Sequence, residues 1–544
     1  AVVGGGTWAF INYQHQQQVA AEQAQQEKDE AIAKAEHVVV IKVSGDGWDT
    51  SAGALRLPVY VEGTDSKGEK VDEVQYATSD GRGINLRQGN YVLSVPASPI
   101  AADGTVFSVS NTQVEVSFTA KDEEGSEIDA TGRGGFELTP TDALEVTDEQ
   151  INKAYEYASK DTTDGAPDAD ALKTAATKRR DDAVAAKIAA LEGGVAAMLT
   201  SSGQAANFYA IFNICQAGDH FVCSSTIYGG TFNLFGVTMK KLGVDVTFVN
   251  PDAPEEEISA AFRPNTKALF GETISNPTLE VLDIEKFARI AHKHGVPLIV
   301  DNTFPTPINC RPFEWGADIV VHSTTKYMDG HATSVGGAIV DSGNFDWDAH
   351  ADKFPGLCTP DESYHGLTYT KAFGKLAYIT KATAQLMRDL GSIQSPQNAF
   401  LLNLGLETLH LRMPQHCGNA QKVAEYLSRN EKVAWVNYCG LPDNKYYELA
   451  QKYMPNGSCG VISFGLKGGR EVSIKFMDSL KLAAIVTHVA DARTCVLHPA
   501  SHTHRQLSDE QLLEAGIRPD LIRFSVGIEN AEDIIADIEQ ALNA

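Results

Sequence analysis

At 544 residues the chain is too long for one ordinary domain, and its formal net charge of −26 argues against the clustered cations that a nucleic-acid partner requires. All eight cysteines lie after residue 200, and none of them forms a Cys-x-x-Cys pair or a cluster with metal-ligand spacing. These properties predict several domains with reduced, mostly buried thiols, no nucleic-acid partner and no metal site.

The first 36 residues predict a short apolar segment followed by a polar helix. Residues 1–11 are apolar and carry Trp8 and Phe10 near their end, whereas residues 14–36 are rich in Gln, Ala, Glu and Lys. A bilayer span needs about 20 apolar residues, so this run alone is too short to cross. Aromatic residues ahead of a polar helix are typical of the exit of a membrane helix, which favours a truncated anchor. An ordinary apolar terminus is the alternative.

Residues 37–140 predict a small all-β sandwich. Residues 113–118 alternate between polar and apolar side chains, as a half-buried strand does. In texture this part resembles the Ig-like or carboxypeptidase-regulatory-like modules of bacterial surface proteins, and no residue in it indicates chemistry. The runs with β-type composition are 37–43, 57–61, 71–77, 91–95 and 114–119.

Residues 141–181 predict a helical linker, in which Thr147-Asp148-Glu149-Gln150 forms a capping box. From Asp182 the composition changes, and short apolar runs alternate with longer amphipathic stretches. This alternation indicates an α/β fold with a mostly parallel sheet that helices bury on both faces. The predicted strands cover residues 196–200, 220–224, 244–249, 268–271, 297–301 and 319–322.

The run Ser323-Thr324-Thr325-Lys326-Tyr327 and the upstream Asp301 indicate the cofactor class. Asp301 ends the most apolar predicted strand, where a carboxylate is costly unless a cation such as a protonated pyridine nitrogen pairs with it. A desolvated lysine has a lowered pKa and can form a Schiff base, while neighbouring hydroxyls hold a phosphate. Together these residues predict a pyridoxal phosphate site at the carboxyl ends of the strands.

Further strand ends carry residues that suit the same cofactor. Ser201-Ser202-Gly203-Gln204 opens a predicted helix, whose backbone N–H groups would bind a phosphate. Tyr228, before a Gly-Gly turn, could lie flat on an aromatic ring, and Asn276 could bond a ring hydroxyl or a substrate carboxylate. Taken singly, a helix cap, a loop tyrosine and an Asn-Pro turn explain these residues. Their joint occurrence at strand ends favours the cofactor site.

From Asp182 to Ala544, about two-thirds of the chain, the sequence resembles the Cys/Met-metabolism family of pyridoxal phosphate enzymes, and within it the O-acetylhomoserine sulfhydrylase branch. Residues 490–495 and the insertion around 361–365 favour that branch over the lyases. The stretches that carry the resemblance are Leu191-Glu192-Gly193-Gly194, Ser202-Gly203, Tyr228-Gly229-Gly230-Thr231, Glu272-Thr273, Asn276-Pro277, residues 300–304, residues 323–327, Gly330-His331, residues 498–504 and residues 522–529.

The resemblance implies an aspartate-aminotransferase-like (fold type I) large domain over residues 182–400 and a small α+β domain over residues 401–544. Lys326 would form the Schiff base and move protons, Asp301 would pair with the pyridine nitrogen, and Tyr228 would stack on the ring and act as an acid or base. The other implied ligands are Gly203, Gln204, Ser323 and Thr325 for the phosphate, and Asn276, Ser501 and Arg523 for the ring hydroxyl and the substrate carboxylate.

The implied reaction is a γ-replacement in methionine and cysteine biosynthesis. O-acetylhomoserine reacts with sulfide to give homocysteine, or with methanethiol to give methionine, and acetate leaves. Methionine γ-lyase or cystathionine γ-synthase chemistry is the alternative within the family, and an inert surface or interaction protein is the alternative outside it. The resemblance also implies a cytoplasmic homo-oligomer, a dimer or a tetramer.

One family feature is replaced before Asp182. The family's Tyr-x-Arg, which reaches the cofactor phosphate of the neighbouring subunit, falls on Lys173 and Ala175, and its Asn-Pro-Thr falls on Lys178-Arg179-Arg180. The replacement and the abrupt change in cysteine use predict that two unrelated segments are joined near residues 180–182, by natural fusion or by assembly error. They also predict weaker cofactor binding and a weaker dimer, which Arg179 or Arg180 could restore in part.

Overall fold

The chain folds as two compact units, Ala1–Arg180 and Asp181–Ala544. The structure, a computed structural model, describes residues 4–45, 55–78, 83–110, 113–121, 125, 127–502, 510 and 517–544. The first unit begins with a long helix, α1 (Gly4–Lys34), which covers the described part of the predicted apolar segment and continues through the polar stretch. Within the described ranges, no helix has both the length and the apolar character that a membrane crossing demands.

A β-rich module follows α1, as predicted. Its strands are β1 (His37–Val40), β2 (Lys42–Gly45), β3 (Arg56–Asp65), β4 (Lys70–Thr78), β5 (Ile84–Leu86), β6 (Gly89–Ser94), β7 (Phe107–Val109), β8 (Val114–Phe118), β9 (Ile128–Asp129) and β10 (Gly135–Pro140). They form three small sheets, ordered β5-β1-β9, β2-β10-β7 and β4-β3-β6-β8, around a shared core that includes Val59, Leu93 and Phe136. The predicted single run 37–43 is two strands, because the chain leaves one sheet at Ile41 and enters another.

Two helices follow the module, α2 (Asp148–Ala158) and α3 (Ala169–Glu192). The predicted capping box begins α2: the Gln150 N–H donates to Thr147 Oγ1 at 3.2 Å, and the Thr147 N–H donates to Gln150 Oε1 at 2.9 Å. Helix α3 continues without a break through residues 180–182, where the sequence analysis places its junction.

The second unit contains a mostly parallel sheet of seven strands. They are β11 (Ala196–Thr200), β12 (His220–Ser224), β13 (Asp245–Val249), β14 (Thr266–Glu272), β15 (Leu298–Asp301), β16 (Ile319–His322) and β17 (Gly337–Asp341). Their order is β11-β17-β16-β15-β14-β12-β13, and β17 runs antiparallel to both of its neighbours. Strands β12, β15 and β16 are buried along their whole length, which explains their continuous apolar sequence.

The C-terminal part of this unit adds a five-stranded sheet. Its strands are β18 (Val433–Asn437), β19 (Val461–Leu466), β20 (Ala484–Ile485), β21 (Cys495–Leu497) and β22 (Leu521–Ser525), in the order β18-β19-β22-β21-β20. The helices of the unit after α3 are α4 (Gly203–Phe212), α5 (Gly229–Asn233), α6 (Glu255–Ala260), α7 (Ile284–Lys293), α8 (Thr306–Asn309), α9 (Pro355–Cys358), α10 (Tyr369–Phe373), α11 (Ala377–Lys381), α12 (Arg388–Leu390), α13 (Pro396–Arg429), α14 (Tyr447–Tyr453), α15 (Gly469–Ser479) and α16 (Ala531–Leu542). The end of α13 packs into the core of this small sheet through Ala420, Val423 and Leu427.

Asp341 is a buried acid at the end of β17, opposite the first residues of β11 and β16. Its Oδ1 accepts a hydrogen bond from the Gly343 N–H at 2.8 Å. Burial raises the pKa of the Asp341 carboxyl to about 7. The folded chain therefore keeps a proton that the unfolded chain loses at an ordinary aspartate pKa near 4. The stability contributed by this group is fully present below that ordinary value and is lost as the pH rises through about 7.

We expect Asp341→Asn to raise the melting temperature at about pH 8 and to leave it nearly unchanged at about pH 4. The full cost of ionising Asp341 in the folded protein is about 4 kcal/mol, since each pKa unit corresponds to ~1.4 kcal/mol. In the variant, the amide oxygen of the asparagine can still accept the hydrogen bond from the Gly343 N–H. Calorimetric scans of both proteins across this pH range measure the difference. Melting curves that stay parallel at every pH would contradict it.

Candidate active site

The carboxyl ends of β14, β15 and β16 lie side by side. Asp301, at the end of β15, pairs in register with Glu272 at the end of β14 and with Val321 on β16. The turn that contains Lys326 follows β16 directly. The strand order therefore gathers two carboxyls and the lysine turn at the edge of the sheet where ligands of α/β proteins bind.

Asp301 suits a cationic partner. It is buried, and its Oδ1 accepts hydrogen bonds from the Thr303 N–H at 3.1 Å and from the Thr303 hydroxyl at 2.5 Å. Burial raises the pKa of the Asp301 carboxyl, and the hydrogen bonds from Thr303 oppose this only in part. A buried carboxylate is costly when it has no cation beside it, and a protonated ring nitrogen would supply one.

Lys326 lies in a turn that is anchored from two sides. Its carbonyl accepts from the Gly330 N–H at 2.7 Å. The buried Arg412 of α13 donates to the Tyr327 carbonyl at 2.7 Å, and the Tyr327 hydroxyl accepts from the Gly460 N–H at 2.9 Å. A Cβ at Gly330 would lie 2.1 Å from Arg412 Nη1, so glycine is required where the arginine approaches the turn. The backbone around Lys326 is therefore fixed by α13 and by the chain at Gly460.

The amine of Lys326 suits nucleophilic and proton-transfer chemistry. Burial, together with the positive charge of Arg523, lowers the pKa of Lys326 to about 8. A lysine with this pKa is partly neutral near neutral pH, which an ordinary surface lysine is not.

The phosphate end of the predicted site is formed by the start of α4 and the Ser323 turn. The Ser202 hydroxyl caps α4 by accepting from the Ala205 N–H at 3.1 Å. A Cβ at Gly203 would lie 2.6 Å from the Cβ of Ser323, so only glycine lets the helix come this close. The N–H groups of Gly203 and Gln204 at this helix start fit an anion.

The side chains of Thr325 and Gln204 already have partners in the protein. Thr325 Oγ1 donates to the Gly336 carbonyl and accepts from the Gly336 N–H, both at 3.1 Å. Gln204 Nε2 donates to Thr231 Oγ1 at 3.1 Å. These bonds brace the loops around the phosphate end, which leaves the backbone of Gln204 as its predicted contact.

Tyr228 follows β12 and keeps an open face. Its side chain is 47% exposed, while its backbone N–H donates to Glu272 Oε2 at 2.6 Å. The ring passes over Gly230, where a Cβ would lie 2.5 Å from the ring atom Cε1. A fixed backbone with an open aromatic face suits stacking on a cofactor ring.

Arg523 and Asn276, both predicted to bind the ring hydroxyl or the substrate carboxylate, are joined by a hydrogen bond. Arg523 Nη1 donates to Asn276 Oδ1 at 3.4 Å, and Nη2 donates to the carbonyls of Thr487 at 2.9 Å and His488 at 3.2 Å. Burial lowers the pKa of Arg523 to about 10, which still leaves it charged at neutral pH. Because these partners are neutral oxygens, the charge stays available to a substrate carboxylate.

Ser501 bonds within its own loop. Its hydroxyl lies 2.8 Å from His498 Nδ1, and its N–H donates to the His498 carbonyl at 3.1 Å. Within the part of the chain that the structure describes, no hydrogen bond joins Ser501 to Arg523. Of the predicted motif 498–504, residues 503 and 504 lie outside the described residues.

Two acids of this region, Glu272 and Glu192, have no predicted role, although both lie in stretches that carry the family resemblance. Glu272 ends an apolar strand just as Asp301 does, so the same signal was present there. Glu192 is fully buried, and its Oε1 lies 2.5 Å from His322 Nε2 and accepts from Asn302 Nδ2 at 3.0 Å. Its partner His322 is 130 residues away in the sequence, so no local pattern could have revealed the pair.

Arg179 and Arg180, which stand where the family motif is replaced, have carboxylate partners in their own unit. Arg179 Nη1 lies 3.3 Å from Asp103 Oδ2. The buried Arg180 donates to Asp148 Oδ1 at 2.8 Å. These pairings give no support to the prediction that either arginine replaces the missing phosphate ligand.

The chain belongs to the Cys/Met metabolism PLP-dependent enzyme family, whose model matches residues 153–543. The match begins inside α2 and therefore takes in much of the predicted linker. The predicted cofactor, pyridoxal phosphate, and the predicted fold class and transferase class are thus confirmed.

Three relatives with described activities are similar to this chain over most of their own length. The O-acetyl-L-homoserine sulfhydrylase of Leptospira meyeri is 46% identical over 370 residues, which cover 66% of this chain and 83% of that protein. The homocysteine synthase of Schizosaccharomyces pombe is 49% identical over 357 residues, which cover 65% and 83%. A Campylobacter jejuni crystal structure, described as an O-acetylhomoserine (thiol)-lyase with N'-pyridoxyl-lysine-5'-monophosphate, matches with a TM-score of 0.64 and 38% identity over 67% of this chain and 86% of that one. None of these relatives is named as a methionine γ-lyase, a cystathionine γ-synthase or a protein without activity, so they give those alternatives no support.

Proposed function

We propose that this enzyme catalyses the γ-replacement of O-acetylhomoserine by sulfide to give homocysteine and acetate, or by methanethiol to give methionine. The observation that carries the proposal is that Asp301 and Lys326 follow neighbouring strands at the same end of the sheet, while the buried Arg523 lies near enough to act on the amine of Lys326. Each of the three suits a separate part of a bound amino acid and its cofactor. The sulfhydrylase and homocysteine synthase relatives support this choice of substrate.

The residues of the site divide the work between them. When bound, pyridoxal phosphate accepts the electron pair that a substrate carbon keeps after it loses its proton. In the proposal, Asp301 keeps the ring nitrogen protonated and Tyr228 covers one face of the ring. Arg523 holds the substrate carboxylate, and Lys326 takes and returns protons at Cα and Cβ, which its pKa of about 8 allows near neutral pH. Acetate then leaves from Cγ, where sulfur forms the new bond.

Assembly and location are part of the same proposal. We infer a homo-oligomer, a dimer or a tetramer, because several apolar side chains of the second unit are exposed, among them Leu404 and Leu411 of α13. A cytoplasmic location is supported by the free cysteines, which are all buried or half-buried in reduced form.

Product analysis tests the proposed reaction. Purified protein loaded with pyridoxal phosphate should release homocysteine and acetate from O-acetylhomoserine and sulfide. It should release little ammonia or methanethiol from methionine alone. Rapid breakdown of methionine without homocysteine synthesis would instead support γ-lyase chemistry.

We expect Arg523→Lys to raise the KM for O-acetylhomoserine about 10- to 100-fold, which corresponds to about 1.4–2.8 kcal/mol. A lysine cannot form two parallel bonds to a carboxylate and also retain the Thr487 and His488 carbonyls. Steady-state kinetics at saturating sulfide measure the change. The matched control is Arg518→Lys, because Arg518 is more exposed and pairs with Asp520. An unchanged KM in Arg523→Lys would remove this residue from substrate binding.

A further inference from the structure

Glu272 and Asp301 form an unusual pair of neighbours at the site. They end the adjacent parallel strands β14 and β15 and lie side by side as register partners. Both residues are more than nine-tenths buried. Two carboxyls this close in a dry environment cannot both ionise at an ordinary pH without a large cost, because each charge disfavours the other.

The two acids have different partners. Asp301 accepts two hydrogen bonds from Thr303, and a protonated ring nitrogen would form an ion pair with it. Glu272 instead accepts the backbone N–H of Tyr228 on its Oε2 at 2.6 Å. Since the Tyr228 side chain is 47% exposed, burial of the ring does little to fix its position, and this backbone bond gains importance.

The charges around Glu272 favour its protonated form. The groups that act on it are Asp301 on β15, the Tyr228 N–H in the loop after β12, and the Cys223 thiol on β12. Burial, and then the negative charge of Asp301, raise the pKa of Glu272 well above its ordinary value, and the Tyr228 N–H opposes this only in part. Burial likewise raises the pKa of Cys223, so the thiol adds no charge.

We propose that Glu272 is a positioning residue that holds the backbone of Tyr228 as an uncharged carboxyl, so that Asp301 alone carries the negative charge facing the ring nitrogen. This inference rests on the proposed stacking role of Tyr228. A protonated Glu272 can fix the tyrosine loop without competing with Asp301 for the cation. An ionised Glu272 would also attract the protonated ring nitrogen, which would then be drawn to two carboxylates at once.

The test compares Glu272→Gln with Glu272→Leu. The glutamine keeps an acceptor for the Tyr228 N–H and carries no charge, whereas the leucine leaves that buried N–H without a partner. We expect Glu272→Gln to bind pyridoxal phosphate within about threefold of the wild type, and Glu272→Leu to bind it about 10- to 100-fold more weakly. Binding is followed by cofactor absorbance in the absence of substrate, so the result does not depend on which reaction the enzyme catalyses.

A second measurement, the pH dependence of the melting temperature, tests whether Glu272 is protonated. In the cofactor-free protein, a carboxyl with a raised pKa loses its stabilising effect as the pH rises above the unfolded value, and an amide does not. The melting temperature of Glu272→Gln should therefore rise relative to that of the wild type as the pH is raised from about 5 to about 8. Asp341→Asn, a carboxyl-to-amide change at the opposite edge of the same sheet, is the matched control and should leave cofactor affinity unchanged.

Different outcomes test the uncharged state of Glu272 and the importance of its bond to the Tyr228 N–H. Equal losses of cofactor affinity in Glu272→Gln and Glu272→Leu would show that a charged carboxylate is needed, and would overturn it. Normal affinity in Glu272→Leu would show that the Tyr228 bond is unimportant, with the same consequence. Melting curves of wild type and Glu272→Gln that run parallel with pH would show an ionised Glu272. If the leucine variant does not fold, the glutamine variant decides alone through its affinity and its pH profile.

Discussion

Lys326→Ala is expected to abolish covalent attachment of the cofactor and to lower kcat by about four orders of magnitude or more, which corresponds to ~5 kcal/mol or more. Alanine removes the amine that the cofactor would join and the group that would move protons between the substrate carbons. The surrounding turn should survive, because Arg412 and the Tyr327 hydroxyl hold it through backbone atoms. Absorbance of the bound pyridoxal group before and after borohydride reduction, with kcat on the same sample, measures both effects.

Lys381 provides the matched control for Lys326. Lys381 is buried, and burial lowers its pKa to about 8, as it does for Lys326. Its Nζ donates to the Asn213 carbonyl at 2.7 Å. It lies at the end of α11, away from the strand ends that carry the site. Lys381→Ala should lower the melting temperature and leave the cofactor attached. Borohydride-reducible cofactor that persisted in Lys326→Ala would assign the attachment to a different lysine.

Asp301→Asn is expected to lower kcat and to weaken cofactor binding, each by about 10²- to 10³-fold. The amide cannot stabilise a protonated ring nitrogen, and breaking a buried ion pair typically costs about 3–5 kcal/mol. The hydrogen bonds from Thr303 should remain, because the amide oxygen can accept both. Kinetics and equilibrium titration with pyridoxal phosphate measure the two losses.

The comparison for Asp301→Asn is again Asp341→Asn. Both exchanges replace a buried carboxyl of the same sheet by an amide, but Asp341 lies at the opposite edge. The control should retain kcat and cofactor affinity and change only the dependence of stability on pH. A value of kcat within a few-fold of wild type in Asp301→Asn would rule out an ion pair with the ring nitrogen.

Asp301 and Lys326 could be predicted from the sequence, because a charged residue beside a buried strand is energetically costly. Asp301 and Lys326 adjoin strands that are apolar from end to end, so a charged residue there needed a reason, and a cofactor was the simplest one. The sequence predicts β11, β12 and β16 at their observed residues, and it misses the fully buried β17. Glu272 offered the same signal and was overlooked, because no partner for it was apparent in the sequence.

Features that depend on tertiary contacts were beyond sequence reasoning. The carbonyls that Arg412 binds belong to residues more than 80 positions earlier and to a residue on its own helix, and no local pattern connects them. The split of the run 37–43 into two strands follows from a corner between two sheets, which composition does not encode. The resemblance predicts Ser501 beside the substrate, and its described hydrogen bonds are to His498; the substrate role stays a prediction.

Helix α13 joins the reactive turn to the C-terminal sheet. Near its middle, Arg412 donates to the Tyr327 carbonyl and His416 Nδ1 lies 2.7 Å from the Val526 carbonyl, while Ala420 and Leu427 belong to the core of that sheet. A local opening that separates the helix from the sheet would also withdraw Arg412 from the turn. A substitution that loosens the C-terminal sheet should therefore also disturb the backbone around Lys326, although the two are far apart in the sequence.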